Sequence, residues 1–376
     1  MLLEDRIGPT LEALRPLKPR RTERFPVHPD LVDHLVDVQE HPDDTVAHVL
    51  GVCAAYAYAD PDTVAMIVAR LGLPESRVRQ VALYVDPMFI SSTAYLVQSA
   101  DGRVVLLAYR GTEPMRLVNW LTDADLYPDR IAIPLGHRDH VYEVHGGFYR
   151  NVRATRYQLV AALQRALEGR SIDERRDERL QPLEALYVTG HSLGGAMAAL
   201  MGVMLATQPA YAPLAEALRG VYTYGQPMIG PRHLARACAE HPFLGTHVVR
   251  YVYQRDVVAF LPPRDTGDFE HFGQERQYLG SWPWQANARP VRQMGFAAEL
   301  AEVPLSFLAH RFAATRRLPF RYRLDDHLPH HYVAALTPPG TPNEYGDDPV
   351  TLVGRAADRD EEPHRRSVAR SSEEER

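Results

Sequence analysis

The stretch LYVTGHSLGGAMAAL, Leu186 to Leu200, limits the possible folds of this chain most narrowly. An apolar run ends in Gly190-His191-Ser192-Leu193-Gly194, and small and aliphatic residues suited to a helix follow at once. A strand that becomes a helix within so few residues brings two backbones close together, and flanking glycines leave room where Cβ atoms would collide. A serine at the apex of such a turn stands at the strand's carboxyl end, above a helix N-terminus whose dipole favours negative charge. Ser192 therefore has two readings, a nucleophile or a turn serine. A lone G-x-S-x-G is weak evidence, and its strand-turn-helix context strengthens the first reading.

The 376 residues suffice for one large domain or two ordinary ones, and 45% hydrophobic with 24% charged residues can build a sizeable core. A net charge of −6 and a pI near 6.3 argue against a nucleic-acid binder. Two cysteines, Cys53 and Cys238, make no disulfide framework and read as buried thiols. The opening MLLEDRIGPT lacks the apolar core of a signal peptide. The longest nearly unbroken apolar run, Leu193 to Ala206, is too short for a bilayer. A soluble, cytoplasmic protein without a transmembrane segment is the resulting expectation.

Residues 1–44, rich in Pro, Arg, Asp and His, read as an N-terminal extension that wraps the body or is partly disordered. Residues 45–340 form the main domain, with an apolar insertion at about 292–318. Residues 341–376 form a tail, and from about 355 it holds almost no apolar residue, as expected of a solvated, disordered segment. In the main domain, AYLVQS and VVLLAYRG flank an Asp-Gly hairpin signal. GFYRNVRATRYQLVAALQRALEG reads as a long helix. There follow strand LEALYVT, helix GGAMAALMGVMLAT, strand GVYTYG, a short helix after Pro231, and strand THVVRYVYQRD. This alternation implies an α/β fold with a mainly parallel sheet covered on both faces, its ligand site at the carboxyl ends of the strands.

A serine hydroxyl needs a base, usually a histidine oriented by a buried carboxylate. Among the acids after Ser192, Asp256 ends a strand, where the alternative role is to cap the next turn. Asp265, Asp268, Glu270 and Glu275 lie in or beside loops, and Asp325 and Asp326 could cap a helix. The candidate histidines beyond Asp256 are His271, His310, His327, His330 and His331.

Five segments in order resemble the class 3 lipases: LLAYRGTEPMRLVNWLTDADL, VHGGFYRNV, YVTGHSLGGAMAAL, VVRYVYQRDVVAFLPP and DDHLPHHYVAAL. The resemblance spans about residues 45 to 336 and implies an α/β-hydrolase fold that cleaves acylglycerol esters through a Ser-Asp-His triad. It selects Ser192, Asp256, and His327, which lies five residues before Tyr332. It implies an oxyanion hole from the Leu193 backbone N–H and Thr112, and structural roles for His145 and His271. It makes the segment after Thr112 an amphipathic lid with Met115, Leu117 and Trp120 toward lipid, where the alternative is a fixed helix over the sheet. The insertion either lines the acyl site or packs in the core.

The expected partner is a lipid ester, with reversible contact to a membrane or lipid-droplet surface. Phospholipase A1, galactolipase and soluble-acyl esterase activities fit the same triad, and an inactive lipid-binding scaffold is a third class. No metal spacing, nucleotide loop or cofactor motif is present, so no cofactor is expected.

Overall fold

The computed structural model describes residues 2–14, 26–85, 90–112, 128–135, 141–264, 267–288, 291–295 and 323–338. Met115, Leu117 and Trp120 of the expected lid, His310, most of the 292–318 insertion and the tail lie outside them.

A nine-stranded sheet has the order β1 (Leu2–Ile7), β2 (Arg77–Val85), β3 (Ile90–Gln98), β4 (Val104–Tyr109), β7 (Ala185–His191), β8 (Leu218–Tyr224), β9 (Val248–Tyr253), β10 (Gln274–Tyr278) and β11 (Gln285–Ala286). Strands β5 (Pro128–Ala132) and β6 (Val141–His145) pair separately. From β4 to β10 every pairing is parallel, whereas β1 to β4 and β10 to β11 are antiparallel. The sheet is thus mixed, with a parallel centre. The Asp101-Gly102 hairpin joins β3 to β4 as its sequence signals.

Among the described residues, the helices of seven or more residues are α1 (Leu31–Asp37), α2 (Asp44–Tyr56), α3 (Pro61–Leu71), α4 (Gly146–Leu167), α5 (Leu193–Thr207), α6 (Arg232–Glu240) and α7 (Pro329–Leu336). They cover both faces. In β4, Val105, Leu107 and Tyr109 join the core under α4 and α5, while Val104, Leu106 and Ala108 join the core under α2 and α3. This is the two-residue alternation of a pleated strand, with apolar partners on both sides. Helix α5 lies against β7 and β8 with every residue from Leu193 to Leu205 buried, so the long apolar run is a core helix. Among the described residues, no single helix is long and apolar enough to cross a membrane. Gly202 lets α5 seat on β8, since a Cβ there would lie 2.6 Å from Val221 Cγ2. Cys53 and Cys238 are free and buried, and burial pushes both thiols up to about 12.

The N-terminal stretch packs on this body. β1 extends the sheet beside β2, and Leu31 and Leu35 of α1 are buried. Histidines anchor it. His28 Nε2 lies 2.9 Å from His48 Nδ1, and His41 Nδ1 accepts from Tyr222 Oη at 2.8 Å, because that oxygen already accepts the Asp43 N–H.

Burial lowers His28 and His41 to about 4 and the fully buried His48 to about 3, each aided by a neighbouring histidine. These groups stay neutral in the fold but take up protons when unfolded near their ordinary value of about 6.5. Stability contributed this way is full above that value and is lost as pH falls toward 4. The urea midpoint is therefore expected to drop steadily from pH 7 to pH 4.5, with about three protons bound on unfolding at pH 5 from these groups alone. A midpoint constant over that range would contradict the neutral, buried histidines.

Candidate active site

Four adjacent parallel strands deliver the candidate residues at one edge. Thr112 follows β4, Ser192 follows β7, Gly225 follows β8 and Asp256 lies three residues beyond β9. Ser192 has φ 61° and ψ −131°, a conformation few L residues adopt. Its N–H donates to Tyr224 O at 2.9 Å and its C=O accepts from Gly195 N at 2.9 Å, so neighbouring main chain holds the turn on both sides. The glycines are sterically required. A Cβ on Gly190 would lie 2.2 Å from Gly194 O, and one on Gly194 would lie 2.3 Å from Tyr109 O. Gly111, just before Thr112, sits equally close: a Cβ there would lie 2.5 Å from His191 O and 3.2 Å from Ser192 Cβ. Leu193 is the first residue of α5, where helix N–H groups have no intrahelical acceptor.

Asp256 and His327 are both fully buried and meet directly: His327 Nδ1 lies 2.9 Å from Asp256 Oδ2 and 3.0 Å from Oδ1. Asp256 also accepts the Val258 N–H at 2.9 Å, so it caps the short 3-10 turn Val257–Phe260 as well as holding the histidine. Tyr332 Oη donates to Asp256 Oδ2 at 2.5 Å and accepts the Tyr253 N–H at 3.0 Å. Burial by itself would raise the Asp256 carboxyl, but the facing His327 and the donors from His327, Tyr332 and Val258 outweigh it and hold the group below its usual value.

His327 ends a 3-10 turn, Asp325–His327, just before α7. Asp325 and Asp326 do not cap that helix, whose N-cap is Leu328. Instead Asp326 Oδ2 accepts the Arg255 N–H at 3.1 Å, and Arg323 N donates to Arg255 O at 2.9 Å. The histidine segment is thereby stitched to the loop that carries Asp256.

The reactive pair is not joined. Ser192 Oγ and His327 Nε2 are buried, and neither has a hydrogen-bond partner among the described residues. Hydrogen bonds of this kind are often long without substrate and tighten once it binds. Thr112 is half-buried beside the serine turn, and the chain beyond it lies outside the described residues.

The other histidines sort by contact. His271 Nε2 meets Ala259 O at 2.8 Å and braces the turn after Asp256. His145 stacks on Phe148 at 4.1 Å at the start of α4. His331 stacks on Tyr253 at 5.3 Å, and His330 lies beside it. Two contributors escaped sequence reasoning: Tyr332, used only as a spacing marker, and His191, whose Nε2 meets the His327 carbonyl oxygen at 2.7 Å. Among the described residues no group of His, Cys, Asp and Glu could hold a metal.

Residues 106–266 match the family model of Lipase (class 3). Over 235 residues the chain is 30% identical to Triacylglycerol lipase OBL1 of Nicotiana tabacum, covering 46% of this chain and 41% of the relative. Over 188 residues it is 28% identical to the Lipase of Rhizomucor miehei, covering 50% and 45%. The chain thus spans less than half the length of these curated relatives. Two solved structures share its fold. A lipase from Rhizopus microsporus var. chinensis has a TM-score of 0.50 at 20% identity, over 79% of this chain and 86% of that one. A triacylglycerol lipase with a serine protease triad has 0.51 at 19% identity, over 77% and 94%. The resemblance to class 3 lipases carried by the motifs holds across the matched segment, and the chain has the α/β-hydrolase fold. Ser192 and Asp256 fall inside that segment and His327 outside it.

Gly225, with φ 56°, lies against the dyad: a Cβ there would come 2.5 Å from Asp256 Oδ2 and 2.8 Å from His327 Nδ1. Gly225→Ala is expected to part the carboxylate from the imidazole and to cost about 2–4 kcal/mol of stability. Proton NMR and thermal melting check this. The downfield signal of the His327 Nδ1–H should vanish, and an unchanged signal with an unchanged melting temperature would reject the packing.

Proposed function

We propose that the protein is a serine ester hydrolase acting on lipid esters, with Ser192 as nucleophile, His327 as base and Asp256 as the acid that orients it. The observation that carries this is the buried His327–Asp256 pair beside a serine held at φ 61° on a strand-to-helix turn. The class 3 lipase match over residues 106–266, and the triacylglycerol lipases among the relatives, support acylglycerols as the substrate class.

In this mechanism Asp256 accepts the Nδ1–H of His327, which leaves Nε2 free of a proton and able to take one from Ser192 Oγ. The serine attacks the ester carbonyl. The developing oxyanion meets the Leu193 N–H at the positive end of α5 and the Thr112 N–H from the loop after β4. The imidazolium, stabilised by the Asp256 carboxylate, gives its proton to the departing alcohol. Water, activated by the same imidazole, then releases the carboxylic acid from the acyl-enzyme.

Ser192→Ala is expected to lower hydrolysis of p-nitrophenyl butyrate by about 10⁴-fold or more while the melting temperature stays at or above that of the parent. Retained hydrolysis would falsify the assignment. The reading includes reversible docking on a lipid surface, for which the apolar Met115, Leu117 and Trp120 of the sequence are the reason. Activity on tributyrin is then expected to rise steeply once the ester passes its solubility limit. Equal rates on dispersed and dissolved ester would count against a lipid surface as the working substrate.

A further inference from the structure

His191, the residue before the nucleophile, has no part in the proton transfers and does a separate job. Its ring is buried and lies 4.5 Å from the His327 ring, centroid to centroid. Its Nε2 meets the His327 carbonyl oxygen at 2.7 Å. A carbonyl only accepts, so Nε2 carries the proton and Nδ1 is a bare acceptor. The Tyr58 hydroxyl lies 3.1 Å from that Nδ1 and therefore donates to it. The same Tyr58 oxygen takes the Gly111 N–H. Gly111 immediately precedes Thr112 and packs against Ser192 Cβ. The Arg110 guanidinium lies over the Tyr58 ring at 5.8 Å.

One hydrogen-bonded chain thus runs from the Gly111 N–H through Tyr58 and His191 to the main chain of His327. We propose that Tyr58 and His191 are positioning residues that fix, through this chain, the relative placement of the Thr112 loop and the His327 backbone. The proposal rests on the ester-hydrolase reading for its kinetic consequence but not for its geometry. Tyr58 belongs to the turn after α2, on the other side of the sheet from α5, so the chain joins four segments that no sequence neighbourhood connects. Because His191 is the middle link, its neutral Nε2–H form is a structural requirement. Burial, with His327 alongside, lowers it to about 3 and preserves that form across the working range.

Two measurements test this. In ¹⁵N-histidine-labelled protein, His191 is expected to be the neutral Nε2–H tautomer from pH 5 to pH 8. A cationic or Nδ1–H ring in that range overturns the proposal whatever the activity. Kinetically, Tyr58→Phe removes only the hydroxyl. It is expected to lower kcat about 10–100-fold with KM within about twofold and a melting temperature within a few degrees. His191→Gln, which keeps a donor near the Nε2 position, should retain more kcat than His191→Leu. Tyr58→Phe should cost less in the His191→Leu background than alone, because the link is already cut. An unchanged kcat in Tyr58→Phe, or full additivity with His191→Leu, overturns the proposal. A parent protein that hydrolyses no ester refutes the hydrolase reading instead, and the tautomer measurement then decides the positioning chain by itself.

Discussion

The molecule is organised around a carboxylate that water does not reach. An ionised group taken into a protein interior loses several kcal/mol of hydration, even after relaxation, unless donors replace the lost water. Asp256 has them from three sources: the Val258 N–H of its own turn, His327 Nδ1 and the Tyr332 hydroxyl. The first is local. The other two come from a segment more than seventy residues further on. The charge therefore dictates tertiary structure, since the fold must bring residues 323–338 back across the carboxyl ends of β8 and β9 for Asp256 to stay ionised. Once there, α7 buries Tyr332, Val333 and Leu336 against α2, and Leu336 lies where a Cβ on Gly51 would reach it. The apolar packing and the polar site hold each other in place.

The serine turn imposes a second requirement, met by main chain rather than side chains. At φ 61° and ψ −131° Ser192 lies outside the left-handed pocket that Asp30, at φ 56° and ψ 32°, occupies at ordinary cost. What holds it is the parallel pairing of β7 with β4 on one side and β8 on the other, the Tyr224 carbonyl that receives its N–H, and the close contact of Gly190 with Gly194. A parallel sheet does this well because all its strands end on one edge, so loops after β4, β7, β8 and β9 converge without long connections. Strain at one residue is sustained by rigidity in four strands.

Much of this was legible in the sequence because the signals are local. The apolar runs of β4 and β7, the glycines around Ser192 and the Asp-Gly hairpin before β4 follow from backbone sterics within a few residues. The parallel centre also followed from the alternation of strands and helices. The outer antiparallel strands did not, because β1 and β2 pair across seventy residues or more and only their partners reveal them. A helix start at Asp60-Pro61 carried an overlooked signal, since Asp60 accepts the Thr63 N–H and Pro61 opens the first turn. Asp326 misled for a physical reason: an acid before a helix reads as a cap, and here a main-chain donor remote in sequence, the Arg255 N–H, takes it. Tyr332 and His191 were invisible as contributors because what they touch is set by the return of the C-terminal segment.

The departures from ordinary local rules gather in one place. Ser192 carries unusual dihedrals, Asp256 is a buried charge, His191 is a buried imidazole kept neutral, and Ser192 Oγ with His327 Nε2 are buried polar atoms without a partner among the described residues. Each costs about 1–3 kcal/mol or must be offset by donors brought from elsewhere. Around them β4, β7 and α5 are buried almost throughout, as their apolar runs lead one to expect. A chain that maximised stability would exchange Ser192 for glycine and Asp256 with His327 for packed apolar groups. The tyrosines are the economical part of the arrangement, since Tyr58 and Tyr332 each spend one hydroxyl twice, accepting a main-chain N–H while donating to a polar ring or carboxylate. That double use ties the backbone of two loops to the chemistry of the site, so displacing either loop also moves the polar group it serves.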